Sequence, residues 1–294
     1  MSSKTTLLTV TDLHRSAGLL MALSEVVSRH KPDMVALVGD FLHAFDDNEG
    51  RMTVEDCAGL LSKLPCAEII FVRGNHEDEA WCHFAEAWNK SGRPLHALHG
   101  QVFRCGPLMI LGFPCHMGDE TAFIGDREPL AYDPDEWLPE VILPTGRAAR
   151  TLWLMHEPPS GTPLSKRGSV VEGNPEWVQA IKRFSPWLTI SGHDHRTPIR
   201  SGRWHYRLGQ TTCVNVGQTD NGPLHYSLVE AEFESASPTL PTRMAVTAYP
   251  WQETISLPDG KLIANRSGCR APGSDKLSSP KAKKRTSRGD RTIP

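Results

Sequence analysis

The sequence predicts an α/β layered domain. Over the first two hundred residues, short β-branched or aliphatic runs alternate with segments of helical periodicity. Five of those runs end in Asp, His or Asn, often beside a glycine. No apolar stretch approaches the ~20 residues a membrane-spanning helix needs.

The elements follow in order. Leu7 to Val10 is a buried-strand run. From Ser16 to His30 the spacing of Leu19, Leu20, Leu23, Val26 and Val27 predicts a helix. Met34 to Val38 is the second strand. Thr53 with Asp56 has the form of a capping box, opening a helix that runs through Leu64 and stops at Pro65. Glu68 to Val72 is the third strand, and Glu77 to Asn89 a helix. Val102 to Phe113 predicts a hairpin turning at Cys105-Gly106-Pro107. Residues 114 to 147 are Pro-rich and break the rhythm, as an inserted loop or lid would. Strand patterning returns at Thr151 to Met155, and Asn174-Pro175 is a cap and first-turn proline for a helix through Phe184. Leu188 to Ser191, Thr211 to Val216, His225 to Phe233 and Met244 to Tyr249 complete the strands.

Composition narrows the class. The chain has 294 residues, 39% hydrophobic and 22% charged, enough for a substantial core. Seven cysteines (57, 66, 82, 105, 115, 213 and 269) are scattered and never spaced Cys-x-x-Cys. That argues against a disulfide framework and a zinc–thiolate site, and fits a reducing compartment. The apolar run near the N-terminus is only four or five residues, too short for a signal-peptide core. A soluble, cytoplasmic protein with no membrane contact is expected.

The net charge of -2 hides an asymmetry. Residues 266 to 294 hold nine Lys or Arg and two Asp, leaving 23 basic and 32 acidic residues elsewhere, a net charge of -9. This Ser-, Gly- and Pro-rich tail reads as disordered. It is a candidate contact for nucleic acid, acidic lipid or a protein partner, or a solvated appendage.

The strand ends carry the chemistry. They read Asp12-Leu13-His14, Gly39-Asp40, Gly74-Asn75-His76-Glu77, His156, and Gly192-His193-Asp194-His195. Ligands of open α/β sheets collect beyond the carboxyl ends of strands. Carboxylate oxygens with imidazole nitrogens suit Mn, Fe, Zn or similar ions. If the extended backbone continues past residue 191, His193 and His195 face one point and Asp194 faces away, with no role assigned to it. Asp40 is the natural bridging carboxylate, because its glycine neighbour lets the backbone come close.

These five blocks, in this order, resemble the calcineurin-like metallophosphoesterase superfamily over about residues 6 to 217. The resemblance implies a four-layer α/β/β/α sandwich spanning residues 1–265, ahead of the tail. It implies two metal ions, one held by Asp12, His14, Asp40 and His195, the other by Asp40, Asn75, His156 and His193. His76 is similar to the family's non-ligand histidine, which contacts the phosphate and protonates the leaving group. Two ions ~3.5–4 Å apart would generate a bridging hydroxide for in-line attack, with no covalent intermediate.

Among branches, Gly39-Asp40-Phe41-Leu42-His43 lacks the Asp and Arg that the Ser/Thr protein phosphatases carry there. The His156-Glu157-Pro158-Pro159 and Gly192-to-His195 stretches are more similar to the small single-domain phosphodiesterases, and Val214-Asn215-Val216-Gly217 resembles their Asn-Pro-Gly block with Val for Pro. The expected activity is hydrolysis of a nucleotide-type or other small phosphate ester. A nuclease using the basic tail is the alternative, with a protein phosphatase or a non-catalytic scaffold ranked below. Asn75 and His76 are candidate substrate contacts. So is His43, whose other reading is a satisfied loop histidine. Glu77 and Asp78 could order the histidines from behind or simply form an acidic first helical turn. The remaining histidines read as structural or surface residues, and Trp137 as a candidate stacking residue in the insertion. Oligomeric state is left open.

Overall fold

The structure, a computed structural model, describes residues 2–42, 50–98, 100–106, 108–113, 151–167, 170–171, 173–219, 222–234, 241–257 and 261–265. The 114–147 insertion, the 266–294 tail, His43 and Trp137 lie outside the described residues.

β1 (Ser2–Val10) leads to α1 (Ala17–His30), β2 (Met34–Val38), α2 (Val54–Leu61), β3 (Glu68–Val72) and α3 (Asp78–Asn89). Then come β4 (His96–Ala97), β5 (Val102–Cys105), β6 (Leu108–Phe113), β7 (Leu152–Met155), and the two-residue β8 (Lys166–Arg167) and β9 (Val170–Val171). α4 (Pro175–Phe184), β10 (Leu188–Ile190), α5 (Thr197–Ser201), β11 (His205–Leu208) and β12 (Thr211–Val214) follow. An antiparallel run of β13 (Tyr226–Glu234), β14 (Pro241–Tyr249), β15 (Glu253–Leu257) and β16 (Lys261–Asn265) closes the fold.

The strands form two large mixed sheets, in the orders β16-β15-β14-β13-β1-β2-β3-β4 and β11-β12-β10-β7-β6-β5. β1 to β4 are mutually parallel, as are β6, β7, β10 and β12. Their apolar runs are short and continuous because both faces are buried. Leu7, Ala36, Val38, Ile70 and Val72 of one sheet share a core with Ile110, Leu154, Ile190 and Val214 of the other. Leu8, Val35, Leu37 and Phe71 pack instead under Leu20, Leu23 and Val27 of α1 and Phe84 and Trp88 of α3. Leu111, Trp153 and Met155 pack against Trp177, Ile181 and Phe184 of α4. These three apolar layers separate four layers of secondary structure, helix–sheet–sheet–helix.

Most predicted elements are in place, with informative differences. β1 begins at Ser2, five residues before the apolar run, because its first half is zipped antiparallel to β13 from Ser2↔Glu234 onward. The Thr53 hydroxyl accepts from the Asp56 N–H at 3.0 Å, so the α2 cap is real. α2 nevertheless ends at Leu61 rather than Leu64. Lys63 and Leu64 donate to carbonyls three residues back, and the Arg93 guanidinium donates to the carbonyls of Ser62, Leu64, Cys66 and Ala67. The helix thus tightens into a 3₁₀-type turn ahead of Pro65, and the guanidinium holds the connector that follows. The short α5, β11 and the polar-faced β15 and β16 carry no periodic apolar signal that sequence reading could use.

Candidate metal centre

The parallel strands β1, β2, β3, β7 and β10 deliver Asp12, Asp40, Asn75, His156 and His193 from their carboxyl ends to one rim. The loops that follow are cross-bonded through their backbones. The N–H groups of Asp12 and His14 donate to the Gly39 and Asp40 carbonyls at 3.0 and 2.8 Å, and Gly39 N–H donates to the Val72 carbonyl at 2.8 Å. Within the second sheet, Gly192 N–H donates to the His156 carbonyl at 2.9 Å, and between the sheets His193 N–H donates to Asp12 Oδ1 at 3.1 Å.

The His-x-His pair does not sit on extended backbone, contrary to the expectation from its spacing. β10 stops at Ile190, and His193 adopts a left-handed backbone, φ 63°. Asp12 (55°), His14 (46°) and Asp40 (52°) do the same. Left-handed backbone costs a non-glycine residue about 1–2 kcal/mol, and such residues persist where surrounding bonds over-determine them. A turn therefore brings both imidazoles to the centre, and Asp194 does face away. Its Oδ1 accepts from the N–H groups of Arg196 and Thr197 at 3.2 and 2.9 Å, which anchors the start of α5. The residue without a role in the sequence is a loop anchor.

Two donor groups come together, Asp12, His14, Asp40 and His195 in one and Asp40, His156 and His193 in the other, with the ligand atoms of each group within 4.8 Å of one another. Asn75 belongs to the second by position: its Oδ1 is 3.0 Å from His156 Nε2 and 3.1 Å from His193 Nδ1. His195 Nε2 stands 3.2 Å from both Asp12 Oδ1 and His14 Nε2, and His156 Nε2 stands 3.2 Å from Asp40 Oδ2. Ligands about 2.1 Å from one ion, at tetrahedral to octahedral angles, are roughly 3.0–3.4 Å apart. The observed separations match. Asp12 Oδ2, moreover, is buried with no hydrogen-bond partner among the described residues. The donor set fits transition-metal ions.

A profile of the calcineurin-like phosphoesterases matches residues 5–197. The chain belongs to that family. No curated protein matches the sequence. Among solved structures, TT1561 of Thermus thermophilus is similar at a TM-score of 0.55 and 18% identity, over 77% of this chain and 94% of that one. A dimetal phosphatase from Danio rerio is similar at 0.54 and 13% identity, over 83% and 95% of the two chains. A purple acid phosphatase from yellow lupin, Lupinus luteus, reaches 0.52 at 13% identity, over 89% of this chain and 53% of that one. At these identities the likeness is one of fold.

Within the family's frame, glycines let the side chains sit so close to backbone. A Cβ on Gly39 would lie 2.0 Å from His156 Nδ1, and one on Gly74 would lie 2.2 Å from Asp40 Oδ1. Glu77, fully buried, is the supporting residue the motif undersells: its carboxylate accepts from the N–H groups of Asp40 at 2.9 Å, Leu42 at 2.8 Å and Gly74. It orders the loop of Asp40 rather than the histidines. Asn215 supports the opposite side, its Nδ2 donating to the Gly192 and Asp194 carbonyls at 3.0 and 3.2 Å. Its Oδ1 accepts from Gly217 N–H at 2.8 Å, so the turn is held without the proline that Val216 replaces.

The charges are mutually dependent. Burial would raise Asp40, but His156, with His14 and His76, holds it below the ordinary carboxylate range. Asp12 is lowered likewise, His195 outweighing burial. Burial pushes His14 down to about 4 against the pull of Asp40 and Asp12, and His193 to about 4 with His156 adding to the effect. For His156 burial is overcome by Asp40, which lifts it to about 10. Burial, then Asp40, pushes Glu77 up to about 8.

His76 sits at the edge of the cluster. Its N–H donates to Asp40 Oδ1 at 2.9 Å, and its Nε2 is 3.9 Å from Asp40 Oδ2 with 24% of the side chain exposed. Of the other histidines, His225 is buried with Nδ1 3.0 Å from the Val216 carbonyl, and His96 pairs with Glu68 at 3.1 Å. Neither belongs to the two donor groups.

Proposed function

We propose that this chain is a metal-dependent phosphodiesterase acting on a small, nucleotide-type phosphate ester through two metal ions that share Asp40. The observation that carries the reading is the pair of donor groups meeting at one carboxylate, at separations suited to ions. Asp12, His14 and His195 complete one group, Asn75, His156 and His193 the other. Mn, Fe and Zn all suit this O/N donor set. When bound, such ions polarise a phosphoryl group and make water nucleophilic at neutral pH.

The chain's own residues orient and protonate. Asn75 and His76 flank the position of the scissile phosphate. His76, partly in solvent and tethered by its N–H to Asp40, donates the proton to the departing oxygen. The Danio rerio neighbour, a dimetal phosphatase, supports the two-ion reading. The likeness of the Gly192-to-His195 block to small phosphodiesterases supports a diester substrate. A reducing cytoplasmic setting belongs to the same reading; the five described cysteines, all free, support it.

The test is hydrolysis of bis(p-nitrophenyl) phosphate. Chelator should abolish it and Mn restore it. Asp40→Ala and His193→Ala should each lower kcat at least about a hundredfold, as loss of a metal ligand does at such sites. Full activity in either variant overturns the assignment.

A further inference from the structure

The chain crosses from the second sheet to the first between β12 and β13. Gln218 lies on that crossing and is 2% exposed. Its backbone N–H donates to the His195 carbonyl at 3.1 Å, and its side-chain Nε2 donates to the Thr11 carbonyl at 3.4 Å. The first carbonyl belongs to a candidate ligand, and the second to the peptide that leads into Asp12. One buried residue thus joins the segments that bring Asp12 and His195 to the first donor group from opposite sheets.

The amide is locked in this orientation. Nε2 also donates to the His225 carbonyl at 3.2 Å, while Oε1 accepts from the N–H groups of His225 at 3.2 Å and Thr219 at 3.1 Å. Both donor hydrogens and both acceptor lone pairs are in use, so turning the amide over would set donor against donor. With its polar atoms engaged, Gln218 offers no ligand of its own. His225, which it clasps, is buried and packs edge-on against Trp251, ring centroids 5.1 Å apart. Gly217 has a left-handed backbone, φ 64°, and a Cβ there would lie 2.5 Å from the His195 carbonyl oxygen. That glycine lets the Gln218 N–H reach the carbonyl.

The second group is tied differently. Gly192 N–H is bonded to the His156 carbonyl at 2.9 Å and Asn215 Nδ2 to the Gly192 carbonyl at 3.0 Å, which joins His156 and His193 within their own sheet. Resting on the two-ion reading of the preceding subsection, we propose that Gln218 is a positioning residue for the first group. It sets Asp12 against His195 across the two sheets, and so governs the affinity of the ion that Asp12, His14, Asp40 and His195 hold, not that of its neighbour. It acts through the two backbone segments it joins.

The test is Mn binding to the full chain, read by calorimetry and electron paramagnetic resonance. Wild type should take up two Mn and show an exchange-coupled pair. Gln218→Met keeps the length of the side chain and removes its polar ends. In that variant one Mn should bind as in wild type and the other about 10–100-fold more weakly, the usual cost of losing an outer partner of a ligand. At Mn levels that saturate wild type, its spectrum should be that of an isolated ion. Adding His195→Ala should leave the tight ion in place, whereas adding His193→Ala should remove it. Gln218→Asn, milder and too short to reach Thr11, should shift the same ion in the same direction. Arg93→Ala reads what lost stability alone does, and should leave both affinities at wild-type values. Both ions weakened equally, neither weakened, or the tight ion lost on adding His195→Ala overturns the proposal. Wild type that takes up a single Mn would instead strike the two-ion reading.

Discussion

The Glu77 carboxylate gathers the N–H groups of Asp40, Leu42 and Gly74 at a point where all three are shut away from water. Replacing one oxygen by an amide NH₂ sets a donor against a donor. Glu77→Gln should therefore lower kcat about 10–100-fold and reduce bound Mn, the usual cost of losing an outer partner of a metal ligand, while far-UV circular dichroism stays unchanged. Full Mn content in that variant would contradict the role. The histidines make a second prediction at this scale. At neutral pH in the metal-free protein His156, lifted to about 10, is protonated, whereas His14 and His193, pushed to about 4, are neutral. An imidazole must be unprotonated to bind an ion, so uptake by the His156 group releases a proton. Its affinity should rise with pH toward 10, by about tenfold per pH unit for one proton. Calorimetry of Mn binding at pH 7, in buffers of different ionisation enthalpy, reads that proton; none released refutes the linkage.

Elements here are closed by residues far away in sequence. Arg93 ties down the connector between α2 and β3 from 26 to 31 positions downstream, with one guanidinium serving four of its carbonyls. Arg93→Ala should destabilise the protein by about 2–3 kcal/mol, the range for hydrogen bonds to a charged group whose loss strands acceptors. Arg93→Lys should recover less than half of that, because an ammonium lacks the planar fork. Urea unfolding measures both, and the folded variants should keep wild-type kcat. The cap of α2 was legible, since Thr53 and Asp56 sit three apart. The path of the connector that follows was not, because nothing local names Arg93. The same holds on the His193 loop: Gly192-His193-Asp194-His195 declares its histidines, but Asn215 and the turn they depend on lie two strands later.

For the whole molecule, the centre bridges two sheets, with Asp12, Asp40 and Asn75 from one and His156, His193 and His195 from the other. An ion held between them binds only the folded chain, so Mn should raise the apparent Tm, by about 2.7 kcal/mol of stability at a hundredfold excess over Kd. Thermal melts with and without chelator check this, and identical melts would deny a bridging site. Among the described residues, no helix is long and apolar enough to cross a membrane. By itself the sequence determined the α/β alternation, because buried parallel strands need continuous apolar runs and helices a 3.6-residue stripe. It also named the candidate donor residues that the fold brings together, because a metal's chemistry restricts residue type at each strand end. Only the tertiary structure decided how those donors converge. Four left-handed backbone positions, the triple grip of Glu77, the anchor at Asp194 and the tie at Gln218 all depend on how the chain folds back on itself. Periodicity and spacing report on neighbours along the chain, and these features are set by neighbours across it.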